Sequence, residues 1–202
     1  MASTIQVDKI QDTGGNTMVS SNSTGTFTNS LPANLTGATG TLAIAQGGTG
    51  AATFAAAGLA NTPNCLVYLS GNQTITDDTI TKITFDTEVY DSDSAFASNK
   101  FTVPAGKAGK YAIFLNLSLD TGADSNMNYA YGYIYKNGSN IRSAGIDFRA
   151  NPGRRNFVSV FSVEDLAVSD YIEAYAIIDD TSGSPLVSGG SANSLFMIYK
   201  LI

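Results

Sequence analysis

Beyond residue 63, apolar residues recur at every second position in short runs, and each run ends at a cluster of Gly, Pro, Asn, Asp or Ser. Such alternation marks half-buried strands, because successive side chains of a strand point to opposite faces. It predicts strands at 65–69, 82–90, 99–103, 111–119, 129–136, 141–148, 157–163, 171–178 and 194–202. The separators carry turn chemistry, as at Pro104-Ala105-Gly106, Asn151-Pro152-Gly153 and Ser182-Gly183-Ser184-Pro185. The Asn137-Gly138 pair is the strongest of them, since a type I′ hairpin needs φ > 0 at both central residues. No amphipathic helix longer than two turns is predicted, so this region reads as all-β.

The first 62 residues are written differently. Their only aromatics are Phe27 and Phe54, whereas all ten tyrosines lie from Tyr68 onward. So much Gly, Ser, Thr, Ala and Asn cannot build a private core, and such a segment is either disordered or ordered by other chains. Residues 4–10 nevertheless alternate apolar and polar, with Ile5, Val7 and Ile10 as the apolar positions, and residues 12–16 read as a turn. A lone strand needs pairing partners, and copies of the same chain are the nearest ones. Residues 54–59 suit one or two helical turns. The expected organisation is an extended segment over 1–62 and a β domain over 63–202.

Composition narrows the function classes. Charged residues make up 14% of the chain, against roughly 25% in ordinary soluble domains. The net charge is −6 and the eleven basic residues are scattered, so a phosphate backbone is not an expected partner. Residues 1–5 carry no basic or apolar signal-peptide pattern, and no apolar run approaches the ~20 residues of a membrane span. Neither a membrane partner nor a secretory route is expected.

Catalytic chemistry is sparse. Histidine is absent and Cys65 is the only cysteine, which excludes an intrachain disulfide, Cys/His zinc sites and His-dependent triads. Cys65 opens an apolar run and reads as a small core residue. Gly47-Gly48-Thr49-Gly50 lacks the third Gly of the dinucleotide pattern and the Gly-Lys-Ser/Thr ending of the phosphate loop. The acidic pairs Asp77-Asp78, Asp91/Asp93 and Asp179-Asp180 fall in predicted loops, where solvation is the plain reading and calcium the sharper one. No enzyme activity, metal or cofactor is expected.

The binding candidates are aromatic and basic. Tyr129, Tyr131, Tyr133 and Tyr135 share one face of one predicted strand, suited to packing or to stacking against a receptor glycan. Arg149, Arg154 and Arg155 form the only basic cluster. From these, Tyr131, Tyr133, Arg154 and Arg155 are the receptor-binding candidates. Tyr171 and Tyr175 face away from Ile172, Ala174 and Ala176, whose side suits the core.

Four stretches in order resemble the heads of complement component 1q. They are FTVPAGKAGKYAIF at 101–114, GYIYKNG at 132–138, VEDLAVSDYI at 163–172 and SLFMIYKLI at 194–202. The third carries Ser169 where Gly is usual, and the fourth lacks its usual Gly. The four stretches span residues 101–202 of the β domain, and the resemblance implies a ten-stranded jelly-roll sandwich assembling as a homotrimer. It places Tyr171, Tyr175, Phe114 and Tyr199 at the threefold interface. No calcium-ligand motif of that family is matched.

A second resemblance covers the linker. Residues 42–59, LAIAQGGTGAATFAAAGL, look like a repeat of bacteriophage tail-fibre proteins, departing at Gln46, Phe54 and a missing Arg. Residues 4–16 resemble the starts of short phage fibre proteins. Together they imply a virion protein, made in the host cytoplasm, whose residues 1–62 attach to other virion proteins through Ile5, Val7 and Ile10. Its head would then bind a host surface glycan or protein. A capsid-decorating protein and a soluble trimeric ligand of the tumour-necrosis-factor or complement type are the alternatives.

Overall fold

The computed structural model describes residues 9–11, 13–15, 17–21, 27–29 and 61–201. The chain divides into two units, 1–52 and 53–202. In the first, β1 (Lys9–Gln11), β2 (Thr17–Ser21) and β3 (Phe27–Asn29) form an antiparallel sheet in sequence order. Thr13, Gly14 and Gly15 turn the chain between β1 and β2, with Gln11 Nε2 donating to the Gly15 carbonyl at 2.6 Å. Ile10 pairs with Val19 in this sheet. Ile5, Val7, the linker at 42–59 and the helical turns expected at 54–59 lie outside the described residues.

The second unit carries β4 (Asn64–Tyr68), β5 (Gln73–Thr74), β6 (Thr81–Lys82), β7 (Thr87–Asp91), β8 (Phe96–Ala97) and β9 (Lys100–Thr102). They are followed by β10 (Gly109–Asp120), β11 (Met127–Lys136), β12 (Ser139–Asp147), β13 (Arg155–Leu166), β14 (Tyr171–Asp180), β15 (Leu186–Val187) and β16 (Leu195–Lys200). No helix occurs among the described residues. Two antiparallel sheets result. In the first, β13 pairs one edge of β10, while β16, β4 and β7 follow from the other and β15 carries β5. In the second, the order is β12-β11-β14, with β6, β9 and β8 beyond β14.

The core lies between the sheets and follows from the alternation. From β10 it takes Tyr111, Ile113, Leu115, Leu117 and Leu119, each fully buried. Ile172, Ala174, Ala176 and Ile178 of β14 face them, as the pattern predicted. A fully buried side chain of this size contributes about 1.5–3 kcal/mol, so these positions dominate the domain's stability. Gly132 lets β11 approach closely: a Cβ there would meet Val158 Cγ1 at 3.3 Å and Val160 Cγ2 at 3.4 Å.

One predicted strand divides. The run 82–90 becomes β6 in the second sheet and β7 in the first, because the chain crosses between them. Ile83 and Phe85 drop into the core on the way, and the Ile83 N–H donates to Ala174 O at 2.9 Å. Alternation alone cannot show this, since a crossing segment keeps its apolar period while changing partners. The sandwich holds more strands than the expected ten, because β5, β6, β8 and β15 are two-residue ladders too short to leave a pattern.

Two of the motifs lock each other. Asn137 and Gly138 take φ of 51° and 78° and join β11 to β12 with Lys136 opposite Ser139. Asn137 Oδ1 accepts from the Tyr171 N–H at 2.9 Å, and its Nδ2 donates to Asp170 Oδ1 at 2.7 Å. Asp170 also accepts from Lys136 Nζ at 2.9 Å and from the Ala167 N–H at 2.9 Å. Lys136 and Asn137 hold its carboxyl down at about 2. Beside it Ser169 sits at φ 70°, a conformation that favours the Gly usual there.

Candidate functional site

Two outward surfaces stand out, one on each sheet. On the first sheet, register aligns Phe161, Phe114, Met197, Leu66 and Tyr90 in one row across five strands. A second row runs Val163, Ala112, Tyr199 and Asn64, and a third Ser159, Asn116, Leu195 and Tyr68. None of these residues is charged. Phe157, Phe161 and Val163 are 52%, 62% and 46% exposed. The Tyr90 and Tyr199 hydroxyls hydrogen-bond to each other, with rings 6.2 Å apart. Ion pairs close the two ends of the β10–β13 ladder: Lys110 with Asp165 at 2.8 Å, and Arg155 with Asp120 at 2.5 Å.

On the second sheet, the alternation of β11 sends Tyr129, Tyr131, Tyr133 and Tyr135 outward and Ala130, Gly132 and Ile134 inward. Consecutive rings stand 5.9, 6.3 and 6.2 Å apart, and Tyr175 of β14 adds a fifth at 4.3 Å from Tyr135. Gly145 of β12 lies in register with Tyr131, whose ring covers it so closely that any Cβ at 145 would overlap the ring. Arg149 lies over the Tyr129 ring at 4.7 Å, and the Tyr129 hydroxyl donates to Asp78. At the other end of the face Lys100 covers Tyr171 at 4.6 Å. Glu173, 8% exposed, accepts from Lys82 Nζ at 2.7 Å and from the Tyr175 hydroxyl at 3.4 Å.

Three of these phenols hold their protons more tightly than a free tyrosine. The bond to Asp78, then burial, pushes Tyr129 up to about 12. Burial raises Tyr133, helped by Tyr135 and Tyr131, and burial then the Glu173 charge raises Tyr175. At Tyr129, Tyr133 and Tyr175 the face therefore presents hydroxyl donors over apolar rings throughout the physiological range.

The sequence-predicted residues distribute over both surfaces. Phe114 and Tyr199 share the first sheet's outer face, whereas Tyr171 and Tyr175 stand on the second sheet's, so these four form no single patch. Tyr131 and Tyr133 lie together in the ladder. Arg154 and Arg155 are engaged elsewhere, by Asp120 of β10, which is 2% exposed. Burial opposes the Asp120 charge, but the Gly122 N–H, Arg155 and Arg154 outweigh it and keep the carboxyl below its ordinary value. The basic cluster is thus divided, with Arg149 paired to Asp147 at 3.2 Å.

The acidic loops are engaged locally. Asp91 accepts from the Ala95 and Phe96 N–H groups at 2.9 and 2.8 Å, and Asp93 pairs with Lys107 at 3.3 Å. Asp77 accepts from the Asp180 N–H at 2.8 Å, while burial, then Asp77, raises the Asp180 carboxyl. No group of three or more His, Cys, Asp or Glu residues among the described residues could hold a metal ion. Burial pushes the Cys65 thiol up to about 12, consistent with a core role.

Sequence reasoning passed over Phe157, Phe161 and Val163. A signal existed: β13 is apolar on both faces, with Val158 and Val160 inward and the larger residues outward. A strand of a two-layer sandwich needs only one apolar face, so the second asks for a cover.

No protein-family model and no curated protein matches the chain. Solved structures do. The crystal structure of murine APRIL at pH 5.0 is 12% identical, with a TM-score of 0.50 over 68% of this chain and 99% of that one. The globular domain of zebrafish complement 1qA protein is 14% identical, with a TM-score of 0.50 over 69% and 97%. Eiger TNF from S. frugiperda is 12% identical over 71% and 94%, with a TM-score of 0.48. The chain has the jelly-roll fold of the tumour-necrosis-factor and complement-1q heads. At these identities the likeness is one of fold, and the jelly roll expected from the sequence motifs is the one found.

Proposed function

We propose that this chain is a non-enzymatic bacteriophage structural protein, a short homotrimeric fibre held to the virion by its N-terminal segment and carrying a head for host-surface binding. The observation that carries the assembly is the uncharged centre of the first sheet's outer face, where a five-strand apolar row ends on the highly exposed Phe161. A threefold axis brings each residue near its own copies, so the interface centre must avoid like charges, and the three central rows of this face carry none. An apolar centre closed by ion pairs at its ends is the anatomy of a subunit interface. Phe114 and Tyr199 would lie within it, and Tyr171 and Tyr175 outside.

The virion role rests on the tail-fibre-like residues 42–59 and on the fibre-like start at 4–16. In this reading residues 1–62 are the stalk, ordered by neighbouring copies and by other virion proteins. The fold also suits a soluble trimeric ligand, and that is the second reading, favoured by the likeness to APRIL and complement 1qA. Light scattering should return about three times the chain mass of 21.1 kDa. Labelled antibody against the head should decorate phage particles, and the purified protein should attach to host cells. A monomer would overturn the trimer, and an undecorated particle would overturn the virion role. Decoration without attachment to cells would identify a capsid-decorating protein.

A further inference from the structure

We infer that the tyrosine ladder on the outer face of the second sheet is a binding platform for a neutral carbohydrate chain lying along β11. This rests on the proposed surface-binding head and names its ligand class. Five rings with spacings of 4.3 to 6.3 Å make a continuous aromatic strip. Sugar rings present flat patches of C–H bonds ringed by hydroxyls, so they stack on aromatic faces and hydrogen-bond at the rim. A tyrosine offers both, an apolar body and a polar tip.

The surroundings select the ligand. At the centre of the strip, Tyr131 and Tyr133 are flanked in register by Gly145, Ser143 and Ile177, none charged. Near the ends, Lys82 pairs with Glu173 and Arg149 with Asp147, Asp78 accepts from the Tyr129 hydroxyl, and Lys100 lies over the Tyr171 ring. Among the described residues Lys100 makes a ring contact with Tyr171 rather than an ion pair, but it stands at the far end of the face, away from Tyr131 and Tyr133, and the chain's net charge of −6 opposes a polyanion. A protein partner fits less well, because stable protein interfaces have an apolar centre. The exposed large hydrophobics among the described residues lie outside β11, β12 and β14, and the strongest of them are on the opposite sheet. The two sheets thus divide the labour: one face suited to copies of the chain, the other to polyhydroxylated ligand.

The ladder is also held in place before any ligand arrives. Gly145 gives the Tyr131 ring its resting place across β12, and the bond to Asp78 fixes Tyr129. Rings ordered in advance lose little freedom on binding, which favours a weak, repeated stacking mode.

The chain has no Trp, so intrinsic fluorescence reports its tyrosines directly. The test is affinity electrophoresis of the full chain through gels containing mannan, dextran, soluble starch, galactomannan or, as the anionic comparison, alginate. Fluorescence titration with whichever polysaccharide retards it follows. We expect retardation by at least one neutral polysaccharide, a change in tyrosine emission, and weakening on the order of tenfold or more in Tyr131→Ala/Tyr133→Ala. Light scattering and far-ultraviolet circular dichroism should show that variant assembled and folded like the wild type, and Tyr133→Phe should keep most of the binding. Retardation by alginate alone, by no polysaccharide, or equally for wild type and a folded double variant would overturn the inference. Host-cell attachment that survives the double substitution would overturn it as well, while leaving the surface-binding head standing. Loss of attachment by the wild type itself would remove that head.

Discussion

Replacing Phe161 by Glu tests the assembly at its most exposed apolar residue. The side chain is 62% exposed in the single chain, so the subunit's own core does not need it. A phenylalanine buries about 150–250 Å² when fully covered, which leaves roughly 120 Å² to be removed from water on assembly. At about 25 cal/mol per Å² that is ~3 kcal/mol per subunit and ~9 kcal/mol per trimer. The glutamate forfeits this gain and adds an unpaired carboxylate whose burial costs several kcal/mol more. Phe161→Glu should therefore run as a chain of 21.1 kDa at micromolar concentration in multi-angle light scattering, where the wild type gives three times that mass. Far-ultraviolet circular dichroism should keep its β signature, since Val158 and Val160 still face the core. Asn140→Glu, on the exposed edge strand of the other sheet, should leave the trimer intact. A Phe161→Glu protein of wild-type mass would refute the assignment of this face, and loss of the trimer in both variants would refute the reasoning that separates the sheets.

Gly132→Val should destabilise the domain by about 1–3 kcal/mol in urea unfolding, because its methyls would enter space already held by Val158, Val160 and Leu117. Ser169→Gly should stabilise it by about 0.5–1 kcal/mol, the relief at φ 70° exceeding the entropy added to the unfolded chain. Asp170 gives a pH dependence with a definite sign. Its folded carboxyl is depressed to about 2 from an ordinary 3.8, so its contribution is complete above the unfolded value and disappears as pH falls through the folded one. That loss, about 1–2 kcal/mol after allowing for solvent screening, should fall between about pH 4 and 2 in chemical denaturation, and Asp170→Asn should abolish it.

Much of the domain was legible in the chain itself. Two-residue alternation set strands such as β10, β11 and β14 and chose their buried faces, because one inward side chain per pleat is a local property. Asn137-Gly138 fixed a hairpin for the same reason, the conformations it needs being written in two residues. The tyrosine stripe was equally visible, since it lies on one strand. What the sequence could not decide were relations between strands distant along the chain. Whether Tyr171 and Tyr175 join Phe114 depends on which sheet β14 enters, and that is set by pairing over long loops. The split of 82–90 at Ile83 and Phe85, the capture of Arg154 and Arg155 by Asp120, and the row from Phe161 to Tyr90 arise the same way. Local sequence determined which side chains each strand would hide. Only the packing of two sheets determined which exposed ones stand together, because a surface is assembled from residues that periodicity never compares.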